Sequence, residues 1–185
     1  MANRAAILGW WINKARDTLK LKNRTIDIAI RIFDYYCFKK YEESKKEGIK
    51  NKRKEPLHIL DSRYETKLTA TTCFFSASKY EEIYPPVLND FLYYENDKYS
   101  DKVEREAVIQ REVEIIYLTN VNYTISLITD WFDLFSSEKR MPDWGYLCYL
   151  HAPHVKSEDL ALAIFTVVET TPCYDPHESI QAVLR

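Results

Sequence analysis

The sequence predicts an all-α protein, with a five-helix unit over residues 1–123 and a shorter helical unit over 124–185. Three observations carry that prediction. Glycine and proline number only 3 and 7, so tight turns are few and long helices are favoured. Apolar side chains recur at i, i+3/i+4 and i+7 in one stretch after another. The run from Thr72 to Ser78 is apolar or small on nearly every side, as in a helix surrounded by others.

The first helix spans Ala5 to Leu19, with Ile7, Leu8, Trp11, Ile12, Ala15 and Leu19 inward and Lys14, Arg16 and Asp17 on the opposite face. Asn23 or Thr25 caps the second helix, which turns Ile26, Ala29, Ile30, Phe33 and Cys37 to the core. Asp34 follows Phe33, close to the buried face, where a carboxylate needs a partner. From Lys39 to Arg63 periodicity fails. Lys45, Lys46, Lys50, Lys52, Arg53 and Lys54 crowd this stretch, and Gly48 and Pro56 interrupt it. A basic, solvated loop inserted over 39–63 is expected. Lys50–Lys54 has the make-up of a nuclear localisation signal or a contact for an acidic surface, although a plain solvated charge run explains it as well.

The third helix runs from Thr66 to Glu82 and ends before Pro85 and Pro86, because proline excludes its predecessor from helical geometry. A lysine, Lys79, surfaces at its exit. Val87, Leu88, Phe91 and Leu92 then form the inward side of a short fourth helix. Ser100 caps the fifth, with Asp101 and Glu104 near its positive end and Val103, Ala107, Val108, Ile115, Ile116 and Leu118 as its core stripe. In the second unit, helices are expected around Ile125–Phe135, Trp144–Leu150 and Leu160–Val168, with a further one starting at Ile180. These are too few to repeat the five of the first unit.

Composition narrows the function. A net charge of -2 gives no global electrostatic case for nucleic acid. The four cysteines, Cys37, Cys73, Cys148 and Cys173, form no Cys-x-x-Cys pair and read as reduced, buried thiols of an intracellular protein. There is no signal peptide and no stretch of membrane-spanning length. Cys148, His151, His154 and Cys173 are ligand types that zinc accepts, but their spacing fits no common zinc module, so no metal or cofactor is expected. Three glycines make no phosphate-cradling loop, and no nucleophile stands in a catalytic motif. Glu81 and Glu82, at a helix exit, read as solvated, capping or partner-contact residues rather than as a catalytic pair. The protein is not expected to be an enzyme.

The segment Ala77-Ser78-Lys79-Tyr80-Glu81-Glu82-Ile83-Tyr84-Pro85-Pro86 closely resembles the signature of the cyclin family, Ala-Ser-Lys-aromatic-Glu-Glu-Ile-Tyr-Pro-Pro. Its wording is closer to cell-cycle cyclins, mitotic ones in particular, than to transcriptional ones. Further pieces agree: Ala6-Ile7-Leu8 followed by Trp11, the stretch Leu21–Ile26, Phe33-Asp34, Leu68 at the start of the third helix, and Arg111-Glu112 where cyclins place Met-Glu. The resemblance implies a five-helix cyclin box followed by a partial second cyclin-like unit, and a regulatory subunit for a cyclin-dependent protein kinase in the nucleus or cytoplasm. The kinase contacts carried over are Lys79 and Glu112, with Tyr80, Glu82 and Ile83 beside them.

The family's buried Arg–Asp pair places Asp34, but matching Trp11 and Leu21 puts Ala5 at the arginine position, with Arg4 one place early. Arg4 reaches Asp34 only if the first turn adjusts; otherwise Asp34 needs Arg31 or solvent. The family's substrate-docking patch falls on Arg4, Leu8, Trp11, Lys14 and Lys67, three of them cationic where the family has methionine, an acid and glutamine. Such a patch would repel Arg-x-Leu substrates. No destruction motif stands ahead of the first helix, so timed degradation is not expected from this chain. The resemblance leaves two alternatives: a cyclin-fold transcription adaptor that contacts DNA or polymerase, and a kinase-binding protein that does not activate.

Overall fold

A computed structural model describes residues 2–50, 61–95, 102–119, 127–135, 145, 148, 150 and 155–170. Among these residues there are seven helices and no strand: α1 Ala2–Asp17, α2 Asn23–Lys50, α3 Arg63–Glu81, α4 Leu88–Glu95, α5 Arg105–Thr119, α6 Ile128–Phe135 and α7 Ser157–Thr170. The chain divides into two compact units, Met1–Tyr123 and Thr124–Arg185.

In the first unit α3 is the axis. Twelve of its residues are buried, including Leu68, Cys73, Phe74, Ala77 and Ser78. Small and hydroxylated side chains allow this. Thr66, Thr71 and Thr72 donate to the carbonyls of Ser62, Lys67 and Leu68, so their hydroxyls are satisfied on the helix itself while neighbours pack close. Ser62 caps the start, its Oγ accepting from the Glu65 N–H at 3.3 Å. Trp11 of α1 stacks on Phe74 and lies 5.7 Å from Phe91 of α4, which fixes α1 and α4 on the same flank. Phe33 and Tyr36 of α2 are fully buried, and Leu68, Leu88, Val103 and Val108 close a cluster between α3, α4 and α5.

In the turn after α1, Lys20 stands at φ 55°, a left-handed position that usually falls to glycine. The Leu21 N–H to Ala15 carbonyl bond of 2.8 Å closes the turn around it.

Residues 39–50, expected in a loop, are helical: α2 continues to Lys50. Lysine and glutamate are good helix formers, and the pairs Lys39–Glu42 and Lys40–Glu43 at i,i+3 support a helix whose outer face carries no apolar stripe. Absence of apolar periodicity therefore marked a solvated helix here. The run 51–54 and Pro56 lie outside the described residues.

Two other expectations are corrected, one on α5 and one ahead of α4. Val108 and Ile115 are buried, but Ile116 is exposed, as is Val87 ahead of α4. Ser100 and Asp101 lie outside the described residues.

In the second unit α6 and α7 pack through Phe132, Phe135 and Phe165, with ring centroids 6.1–6.3 Å apart. Ile128, Leu160, Ala161 and Ile164 are buried with them, as are Cys148 and Leu150. His151, His154, Cys173 and the stretch from Ile180 lie outside the described residues. No helix among the described residues is long and apolar enough to cross a membrane.

A candidate protein-binding face at the exit of α3

α3 carries its chain from the buried Ser76-Ala77-Ser78 to the exposed Lys79 and Tyr80 within one turn. The Glu82 N–H donates to the Ser78 carbonyl and closes that turn before the prolines. Ile83 and Tyr84 follow in a bend, both strongly exposed.

The Lys79 ammonium lies 2.5 Å from Glu112 Oε1 of α5. The same oxygen accepts from Ser76 Oγ at 2.6 Å. Lys79 also sits 4.4 Å above the Phe75 ring, a cation–π position. The pair is asymmetric: the Lys79 side chain is 44% exposed and that of Glu112 13%. A carboxylate fixed by two donors and a cation backed by an aromatic face leave the outer edge of both groups for another molecule's polar atoms, and charge-assisted bonds are stronger than neutral ones.

Around this pair α5 presents a second apolar stripe. Ile109, Val113, Ile116 and Tyr117 are exposed. Ile109 and Ile116 lie at i−3 and i+4 from Glu112, hence on its side of the helix. Tyr80, Ile83 and Tyr84 follow Lys79 at the α3 exit, so exposed apolar side chains neighbour both members of the charged pair, a composition typical of protein-contact surfaces. The sequence carried a signal for it. Val108 and Ile115 already fill one core stripe seven residues apart, so Ile109, Val113, Ile116 and Tyr117 at i, i+4, i+7 and i+8 are left for another face.

Of the expected contact residues, Lys79, Glu112, Tyr80 and Ile83 are brought to one region at the α3 exit. Glu82 is not available in the same way. Its Oε1 accepts from the Lys22 backbone N–H at 2.8 Å and from Thr25 Oγ1 at 2.5 Å, and its side chain is largely buried. It faces α2, not outward. The cap expected from Asn23 or Thr25 involves this acceptor: Lys22 takes the first helical bond from Ile26, and Thr25 donates rather than accepts.

Arg4 reaches Asp34 with both arms of its guanidinium, each at 2.7 Å. α1 begins at Ala2, so the first turn is formed and the arginine is in register without fraying. The docking patch drawn from the sequence is corrected by the same register. Arg4, Leu8, Trp11 and Lys67 are all buried, so they form no surface for a peptide; Lys14 is half-buried. The exposed tryptophan of α1 is Trp10, 5.9 Å beneath the Lys14 ammonium. Leu68 is buried in the α3–α4–α5 cluster.

A network that sequence reasoning missed lies between α2, α3 and α5. Arg111 donates to Thr69 Oγ1 and Glu65, lies 3.2 Å from Glu114, and covers the Tyr36 ring. Tyr36 donates to Glu114 at 2.7 Å, and Lys40 pairs with the other Glu114 oxygen at 2.9 Å. Burial opposes ionisation of Glu114, but the bonds from Lys40 and Tyr36 outweigh it and hold the carboxyl below its usual range. Burial pushes the Tyr36 phenol upward, and the Cys37 thiol up to about 12, so both stay protonated at neutral pH. Among the described residues no group of histidines, cysteines and carboxylates is placed to hold a metal ion.

Comparison with known proteins fits this architecture. The profile of the family described as Cyclin, N-terminal domain matches residues 2–126. The chain is 26% identical over 122 residues to the G2/mitotic-specific cyclin-B3 of Gallus gallus, covering 66% of this chain and 25% of that protein. It is 28% identical over 105 residues to the G2/mitotic-specific cyclin-B of Drosophila melanogaster (57% and 16%). To Cyclin-A2 of Homo sapiens it is 29% identical over 97 residues (52% and 18%). An all-α unit organised on a buried central helix, with this profile over its whole length, defines a cyclin box. The chain belongs to the cyclin family. It spans a quarter or less of the length of these relatives.

Proposed function

We propose that this protein is a regulatory subunit that binds and activates a cyclin-dependent protein kinase in cell-cycle control, in the nucleus or cytoplasm. The observation that carries the reading is the Lys79–Glu112 pair, which joins α3 to α5 and has exposed apolar neighbours on both helices. Within the cyclin family the corresponding lysine and glutamate bond main-chain groups next to the kinase helix that bears the active-site glutamate. Lys79 and Glu112 have donor and acceptor capacity at the surface for that role, and Tyr80, Ile83, Ile116 and Tyr117 supply apolar area to bury around it. As an isolated surface pair the two charges would contribute at most about 1 kcal/mol to folding.

The chain does no chemistry in this reading. Its binding energy is larger for the kinase conformation in which that helix is swung inward, and this difference shifts the kinase toward the active state. No nucleic acid, metal or membrane takes part.

Co-purification with cell-cycle cyclin-dependent kinases, followed by a histone-kinase assay, tests the reading. Lys79→Ala and Glu112→Ala are each expected to weaken binding by about tenfold or more, the scale for a central interface residue. Intact binding and activation in both variants would overturn it. Binding without activation would favour a kinase-binding protein that leaves its partner inactive, and salt-dependent DNA binding would favour a transcription adaptor.

A further inference from the structure

We propose that Glu82 is a positioning residue: its carboxylate locks the exit of α3 to the start of α2 and so presents Lys79, Tyr80 and Ile83 in the geometry the partner needs. The proposal rests on the kinase-binding reading above.

The contacts are concentrated. Glu82 Oε1 accepts from the Lys22 N–H at 2.8 Å and from the Thr25 hydroxyl at 2.5 Å, and Thr25 is fully buried. Glu82 Oε2 lies 3.9 Å from the Lys22 ammonium, which also donates to the Glu81 carbonyl at 3.3 Å. Arg24 Nε stands 3.4 Å from Glu81. Lys22, Arg24 and Thr25 at the start of one helix therefore grip two residues at the end of another.

The Lys22 N–H is at the N-cap, where a free donor must find an acceptor. In a capping box that acceptor comes from the helix's own N3 side chain. Here the N3 residue is Thr25, which is itself a donor to Glu82, and α3 supplies the oxygen for both. The carboxylate also sits at the positive end of α2, where its charge is favoured.

The consequence for the binding face is geometric. The last turn of α3 runs from the buried Ser78 to Glu82, whose N–H closes it on the Ser78 carbonyl. Lys79, Tyr80 and Glu81 lie between these two fixed points. Helix ends open readily when nothing holds them, and Pro85 and Pro86 prevent the helix from continuing. With Glu82 anchored, the turn is ordered before any partner arrives, which lowers the ordering cost of association.

The test uses the full chain carrying Glu82→Ala, Glu82→Gln or Thr25→Val. Amide hydrogen exchange is read over residues 79–83, and affinity is measured against a panel of purified cell-cycle cyclin-dependent kinases. Glu82→Ala is expected to speed exchange at 79–83 by about tenfold without changing the buried middle of α3, and to weaken affinity by about tenfold. Glu82→Gln keeps an acceptor oxygen and is expected to lose less than about threefold. Val103→Ala, in the core away from this contact, lowers the melting temperature and is expected to move neither readout.

Unchanged exchange at 79–83, or an affinity loss no larger than that of Val103→Ala, overturns the proposal. If Glu82→Ala does not fold, Thr25→Val removes one of the two donors and is expected to change both readouts by about threefold; no change in either overturns the proposal as well. Lys79→Ala on the same kinases separates the two claims. If it leaves affinity intact, the kinase reading fails and exchange alone decides the role of Glu82. If it weakens binding while Glu82→Ala does not, only the positioning role fails.

Discussion

Arg4 and Asp34 are joined by two parallel hydrogen bonds of 2.7 Å that tie the first turn of α1 to the middle of α2. The guanidinium is almost fully buried and the carboxylate only partly exposed, so each group depends on the other for its solvation. Matching the neighbouring motif by its tryptophan placed Ala5, not Arg4, opposite Asp34. The pairing shows that Arg4, not Ala5, is the residue of α1 that faces Asp34.

Breaking the pair from one side should cost more than removing both partners. Asp34→Ala is expected to destabilise the first unit by about 3 kcal/mol, the lower end for a buried pair because Asp34 keeps some solvent contact. Arg4→Met combined with Asp34→Leu should recover most of that loss. Urea denaturation of the three variants checks both statements.

The two adjacent tryptophans of α1 provide a direct check of the same register. Trp11 is buried between Phe74 and Phe91, whereas Trp10 is exposed beside Lys14. Trp11→Ala is expected to cost about 3–5 kcal/mol, and Trp10→Ala less than about 1 kcal/mol. Comparable losses in thermal unfolding would contradict the described register.

Arg111 joins three helices in one polar cluster, through Thr69 and Glu65 on α3, the Tyr36 ring on α2 and Glu114 on its own helix. Methionine, which the family places here, would remove the cation beside Glu65 and leave Glu114 with Lys40 alone of its two. Arg111→Met is therefore expected to destabilise by about 2–3 kcal/mol, in line with the loss of charged hydrogen bonds. Pairing it with Glu65→Gln and Glu114→Gln should restore part of the stability, as a double-mutant series would reveal.

Glu114 also predicts a dependence on pH. Its folded-state carboxyl titrates below the ordinary 4.5, so its contribution is complete above that value and is lost as pH falls through the lower folded value. Stability measured from pH 7 down to pH 3 should fall less steeply below pH 4.5 in Glu114→Gln than in the parent chain. Parallel curves would sink the assignment.

What could be read from the chain follows from the range of the interactions involved. α3 was legible because local rules define it: small and apolar side chains on every side, then a double proline. The Lys79–Glu112 site was legible only through its family resemblance, since nothing local brings positions on two helices together. The outer half of α2 was misread because ion pairs, not an apolar stripe, support Lys39–Glu43. Periodicity turned Leu8 and Trp11 inward, as the structure has them; only the family resemblance drew them into a docking patch, and their burial removes them from it. The direction of Glu82 and the cluster around Arg111 depend on partners far along the chain, and no spacing within a helix encodes them.

α2 has 28 residues and α3 has 19, which at 1.5 Å per residue makes them about 42 and 28 Å long. The surplus lies at the far end of α2, where Lys45 and Lys46 point into solvent. That end behaves as a spar: a fluorophore attached at Lys46 would sit well clear of the α3 exit and could report on tumbling and complex formation without touching the face it monitors.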